Sequence, residues 1–175
     1  MAAGNSLNGE PAALVLTLEM DGESFSELDA LRHRYYAPER NLVPAHITLF
    51  YRLPTARSRE IKPLLAKVAS AQKPIDVGAG EPKLLDRGVA IFLHSPQLNA
   101  LRAELARQWS PWLEEQDQFG FQPHLTIQTT DSETEARKTL QAIRAIRLPR
   151  IRGVGLHLWR YRGGPWDHEQ LFRFH

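Results

Sequence analysis

A short pattern occurs twice in this chain, and its two copies sit in matching surroundings. Around His46 the sequence reads PAHITLFYR, and around His124 it reads QPHLTIQTT. A shift of 78 positions lays His46 on His124 and Thr48 on Thr126. Upstream of His46 come a strand candidate, Leu14 to Leu18, and a helix candidate from about Ser24. Upstream of His124 come a strand candidate, Val89 to Leu93, and a helix candidate from about Pro96. Each histidine segment is followed by a helical stretch and then by two short strands. A repeat of this length constrains the fold before any single residue does. It predicts an α+β fold of two lobes related by a pseudo-twofold axis. Each lobe is expected to be an antiparallel-rich sheet with helices on its outer face, with the histidine strands near the lobe centres and a groove between the lobes. The repeat units run over about 12–87 and 88–175 of one domain, and residues 1–11, small and polar, read as a flexible tail.

The helix boundaries follow from caps and spacing. Ser24 and Glu27 form a capping-box pair ahead of Leu28, Leu31 and Tyr35. Ser95 precedes a proline at the first helical position, and Leu98, Leu101, Leu105, Trp109 and Trp112 recur at three- and four-residue steps. Ser132 and Glu135 repeat the capping box ahead of Leu140 and Ile143. A fourth helix carries Ile61, Leu64, Leu65 and Val68 on one face, with Pro63 near its start.

Composition narrows the chemistry. The 175 residues are 42% hydrophobic and 24% charged, as in an average globular chain, and contain no cysteine. Disulfides, thiolate metal sites and cysteine nucleophiles are thereby excluded. A formal charge of +2 permits an anionic substrate without demanding one. The opening MAAGNSLNGEP has no basic region or apolar core like those of a secretory signal, and Ala12 to Leu16 is too short to cross a bilayer. A cytoplasmic monomer, with no membrane association and no protein partner, is the expectation.

Side chains alternate faces along a strand. His46 and Thr48 should therefore share one face and Ile47 and Leu49 the other, with the same division of His124 and Thr126 from Leu125 and Ile127. If the lobes are related by the repeat, two imidazoles and two hydroxyls converge on the groove. A single His-x-Thr is weak, because a lone strand histidine is usually structural; two copies in the same context are a different matter. Opening a cyclic phosphodiester needs a base for water and an acid for the leaving alkoxide, and histidine serves in either role near neutral pH. Threonine hydroxyls can hydrogen-bond the phosphate oxygens on which charge builds up. Neither a metal nor another cofactor is needed.

PAHITLF and QPHLTIQ resemble the paired signature of the two-histidine phosphoesterase superfamily, which includes bacterial 2'-5' RNA ligases and cyclic phosphodiesterases. YYAPERNLVPAHITLF, FGFQPHLTIQ and WRYRGGPW are similar to segments of the bacterial branch, and the resemblance covers the chain from about residue 12. It implies a bilobal α+β fold and metal-free hydrolysis of 2',3'-cyclic phosphates on RNA ends or small cyclic nucleotides. The alternatives are a 2'-5' RNA ligase, a 2'-5' phosphodiesterase or, from another class, a non-catalytic RNA-binding module. Carried over residue by residue, His46 and His124 are the acid–base pair, and Thr48 and Thr126 bind phosphate. Which histidine is the base stays open at this point.

Further substrate contacts are expected from Phe50 and Gln128, each four residues beyond its histidine and so on its face, and from Arg40, Tyr36 and Tyr161. Trp159 and Tyr35 extend the same aromatic set, from which a base-stacking platform could be built. Between Glu135 and Asp167 there is no acidic residue, yet Arg137, Lys138, Arg144, Arg147, Arg150, Arg152, Arg160 and Arg162 fall there, as an RNA-tracking stretch or a solvated face. Gly163-Gly164-Pro165 reads as a turn. His33, His94, His157, His168 and His175 lack metal-ligand spacing.

Overall fold

The computed structural model describes residues 11–175, so the tail expected over 1–11 lies almost wholly outside the described residues. The chain forms β1 (Ala13–Met20), α1 (Gly22–Tyr35), β2 (Ile47–Pro54), α2 (Ser58–Ala71), β3 (Ile75–Leu85) and β4 (Gly88–His94). It continues as α3 (Pro96–Trp109), a short α4 (Glu115–Gln118), β5 (His124–Thr129), α5 (Glu133–Arg144), β6 (Ile151–Tyr161) and β7 (Asp167–Arg173). Every strand pair is antiparallel, in the order β2-β1-β6-β3-β4-β5, with β7 on the free part of the β6 edge.

That order is a palindrome of the repeat, in which β1, β2 and β3 correspond to β4, β5 and β6. The third strand of each half is exchanged. β6 completes the lobe of β1 and β2, and β3 completes the lobe of β4 and β5. The lobes meet where Ile75–Val77 of β3 pair with Ile151–Gly153 of β6. Three expectations are corrected here. A lobe is not one half of the sequence, because each borrows a strand from the other half. The first half supplies one long strand, β3, with a register shift between Ala79 and Pro82, where two short ones were expected. The histidine strands β2 and β5 end the strand order instead of occupying lobe centres. These two outer strands nonetheless approach each other across the groove.

The caps follow the sequence with one exception. Ser95 and Ser132 accept from the backbone N–H groups of Leu98 and Glu135 at 3.2 Å each. At α1 the cap is Asp21, whose carboxylate accepts from Ser24 N–H at 3.0 Å, so the helix starts at Gly22 and Ser24 sits inside it. Both residues can cap, and the acidic side chain three positions earlier also accepts from Arg152 N–H, a tie the local sequence does not contain. Pro63 is tolerated inside α2, which begins at Ser58 behind a 3-10 turn. Leu98, Leu101, Leu105 and Trp109 form the buried stripe of α3, while Trp112 lies beyond the helix end, under Arg57. The core joins these residues to Leu14, Leu16 and Leu18 of β1 and to Ile61 and Leu65 of α2.

Candidate active site

Each histidine strand begins regularly and then bulges at the same place. In β2, Thr17 faces Thr48 but Leu16 faces Phe50; in β5, Ala90 faces Thr126 but Val89 faces Gln128. One residue of the neighbouring strand thus spans two of the histidine strand, at Leu49 and again at Ile127. A bulge strands backbone groups that must find other partners. Here buried arginines from the other half of the sequence meet them. Arg32 of α1 donates to Thr126 O at 2.8 Å and Arg102 of α3 to Leu49 O at 3.2 Å. Asp117, 1% exposed, accepts from the N–H groups of Tyr51 and Arg52 at 3.0 and 2.9 Å. Burial pushes the Asp117 carboxyl up, partly offset by those N–H donors. Gly88 makes the β5 bulge possible from the neighbouring hairpin. Its φ is 135°, and a Cβ there would stand 1.9 Å from Gln128 O.

The two imidazoles are oriented alike. His46 Nδ1 lies 2.7 Å from Pro44 O, and His124 Nδ1 lies 2.9 Å from Gln122 O. A carbonyl oxygen only accepts, so Nδ1 carries a proton in both rings, and Nε2 is left as the atom that takes or gives one. Burial is the largest influence on His46, followed by the Arg32 charge, and together they hold its pKa down at about 4. The Pro44 carbonyl opposes this weakly, and the nearby His124 adds to the depression. His46 is therefore neutral at pH 7. Tyr51, 40% exposed, places its hydroxyl 3.5 Å from His124 Nε2 and so spans from β2 to the second histidine.

An aromatic ring flanks each histidine. Trp166, on the β6–β7 loop, lies 4.7 Å from His46 between ring centroids, and Phe92 stacks on His124 at 5.6 Å, with the Lys83 ammonium 5.0 Å from the Phe92 ring centroid. Thr48 is buried and Thr126 half-buried, each two residues from its histidine.

The remaining candidates divide. Phe50 is a core residue, fully buried, 5.1 Å from Trp109 and capped by Arg102 at 4.2 Å. The bulge turns it away from His46 and turns Tyr51 toward the groove. Gln128 is displaced in the same way, and it is buried with its Oε1 unpaired. Arg40 pairs with Asp131, beyond the end of β5 remote from His124, and is not brought to the histidines. Tyr36 supports the site from beneath: its ring lies 4.0 Å from the Arg32 guanidinium, and its hydroxyl accepts from Thr129 Oγ1 at 3.0 Å. Tyr161 shares a face of β6 with Trp159, but it is Trp159 that lines the cleft beside His46. The basic stretch does not form one track. Arg137 and Lys138 pair within α5, Arg150 pairs with Asp76, Arg160 with Glu169 and Arg162 with Asp167. Among the described residues no group of three or more His, Asp or Glu is arranged to hold a metal ion. Tyr51, Arg32, Trp166, Phe92 and Lys83 escaped the sequence reading; only the GGPW and TLFY aromatics hinted at two of them.

Comparison with solved structures finds the same fold in TT0787 of Thermus thermophilus, with a TM-score of 0.60 and 16% identity over 93% of this chain and 97% of that one. E. coli LigT, solved in complex with 3'-AMP, gives a TM-score of 0.61 and 17% identity over 94% of this chain and 99% of that one. Among curated protein sequences there is no significant match. The profile of the 2'-5' RNA ligase superfamily aligns with residues 20–165, which include both histidine strands and the arginines that brace them. On that extent of agreement, the chain belongs to the 2'-5' RNA ligase superfamily.

Proposed function

We propose that this protein is a metal-independent phosphoesterase that opens 2',3'-cyclic phosphates on RNA ends or nucleotides, with His46 as general base and His124 as general acid. The observation that carries the reading is the matched pair of imidazoles, each with Nδ1 tied to a carbonyl two residues upstream and one held neutral beside an arginine. His46 Nε2 takes a proton from water as the water oxygen bonds to phosphorus. The bond from phosphorus to one ribose oxygen breaks, and His124 gives that oxygen its proton. The hydroxyls of Thr48 and Thr126 hydrogen-bond the non-bridging oxygens, where charge develops in the transition state. Tyr51, within reach of His124 Nε2, is placed to contact the same phosphate.

The test is turnover of a panel: nucleoside 2',3'-cyclic phosphates, an oligonucleotide ending in a cyclic phosphate, and a 2'-5'-linked dinucleotide. Cyclic-phosphate opening that persists in EDTA and is lost in His46→Ala and His124→Ala supports the reading. Turnover of the 2'-5' dinucleotide alone would replace it with a 2'-5' phosphodiesterase. Binding of every member without turnover would leave an RNA-binding module.

A further inference from the structure

Both histidine strands bulge, but the backbone groups beyond the two bulges are met differently. In β5 the fifth residue after the histidine is Thr129, whose hydroxyl donates to Tyr36 at 3.0 Å, and the following N–H, that of Thr130, donates to Arg87 O at 3.1 Å. In β2 the fifth residue is Tyr51, and its N–H and that of Arg52 donate to a single carboxylate, Asp117, at 3.0 and 2.9 Å. Asp117 comes from the other half of the sequence. It sits in the one turn of α4, closed by its own N–H to Glu114 O at 2.9 Å and by Gln118 Nε2 to Leu113 O at 2.6 Å. Its main-chain carbonyl accepts from Arg102, which also holds Leu49 O inside the bulge. Asp117 is buried, and the proposed acid–base chemistry does not use it.

A buried carboxylate is costly unless its oxygens are hydrogen-bonded, and here two main-chain donors and the Arg102 charge supply that compensation. The arrangement fixes a direction. With both N–H groups held on one carboxylate, the backbone at Tyr51 cannot slip back into regular alternation, and its side chain crosses the groove to place the hydroxyl 3.5 Å from His124 Nε2. The same connection runs on from Asp117 into β5, where Gln122 O holds His124 Nδ1 at 2.9 Å. One short segment thus grips the strand of the first histidine and orients the ring of the second. We propose that Asp117 is a positioning residue, which holds the β2 bulge from across the groove and so aims the Tyr51 hydroxyl at His124 and the phosphate. This rests on the function proposed above. The device is not part of the repeat, since the matching position in β5 carries a threonine turned to Tyr36 and no carboxylate meets that bulge.

The experiment is a double-mutant cycle of Asp117→Asn and Tyr51→Phe. It is read in kcat and KM for adenosine 2',3'-cyclic phosphate, and in the NMR resonances of the His124 ring with and without inorganic phosphate. Asparagine keeps the shape of Asp117 but leaves one acceptor oxygen for two N–H donors. Tyr51→Phe should lower kcat by roughly a hundredfold, the usual effect of losing one preorganised donor to developing charge, with KM little changed. Asp117→Asn should lower kcat by roughly tenfold to a hundredfold, the range for a group misplaced by an ångström or less, and shift the His124 resonances as Tyr51→Phe does. In the Tyr51→Phe background Asp117→Asn should do nothing further, because two residues that act through one group are not additive. Equal factors in both backgrounds would make Asp117 a structural residue only and overturn the proposal, as would unchanged kcat and resonances in Tyr51→Phe. Arg102→Lys loosens the same turn while keeping the charge, and it takes the place of Asp117→Asn in the cycle if that variant does not fold; additivity there overturns the proposal equally. If wild type opens no cyclic phosphate, the catalytic reading fails separately. The resonance cycle in inorganic phosphate then decides: a His124 shift shared by the two single variants and not enlarged in the double upholds the positioning role, and independent or absent shifts overturn it.

Discussion

Arg32→Met should make His46 easier to protonate and move the acid limb of the rate profile toward neutral pH. Arg32 is 4% exposed, and it is the second largest cause, after burial, of a His46 pKa of about 4. At pH 5 a histidine with a pKa near 4 is roughly nine-tenths neutral, whereas one at the ordinary 6.5 is only about 3% neutral. Full return to 6.5 would thus cut a general-base rate at pH 5 by roughly thirtyfold. Burial remains in the variant, so the shift should be partial; a rise of about one unit would halve the neutral fraction at that pH. The substitution also leaves the carbonyls of Thr126 and Val43 without their donor, at a cost of about 1–3 kcal/mol each. Arg32→Lys separates the two effects, because it keeps the charge while losing the fork of hydrogen bonds. The assays are kcat/KM against pH, which reports the free enzyme, and an NMR titration of the His46 ring in all three proteins. In wild type His46 should titrate near 4, in the lysine variant nearly there, and in the methionine variant clearly higher. A wild-type His46 that titrates at 6.5, or a folded methionine variant that titrates with wild type, would refute the electrostatic argument and with it the assignment of His46 as base.

Thr48→Val and Thr126→Val should each slow turnover by roughly a hundredfold, the usual worth of one preorganised donor to developing charge, as measured by single-turnover kinetics. Phe50→Ala should act on stability, lowering the unfolding free energy by about 3–5 kcal/mol in urea denaturation; a change in KM alone would return Phe50 to the groove. Because the His46 pKa is lower in the folded chain than in the unfolded one, its contribution is fully present above pH 6.5 and is lost as pH falls toward 4. His46→Gln should remove that part of the slope when unfolding midpoints are compared at pH 7 and pH 5.

The repeat, the two histidine–threonine pairs and the class of fold were legible in the chain, because they depend on local rules: strand alternation, capping serines and a motif that recurs at constant spacing. Alternation placed the first two polar side chains of each strand and failed at the third. Phe50 and Gln128 lie beyond bulges at Leu49 and Ile127, and the groups that satisfy those bulges are Arg102, Asp117 and Arg32, up to 94 positions away. Nothing near Phe50 announces that Tyr51 takes the groove position. Strand exchange was equally hidden, since β3 and β6 look alike in sequence whichever lobe they join. Trp166 meets His46 only because β6 lies next to β1 in the sheet and carries the following loop to the mouth of the cleft. The protonation of His46 belongs to the same category. A histidine in isolation has a pKa near 6.5, and its fall to about 4 requires desolvation with a guanidinium beside the ring, which only the packing of α1 against β5, with Arg32 reaching the segment before β2, creates.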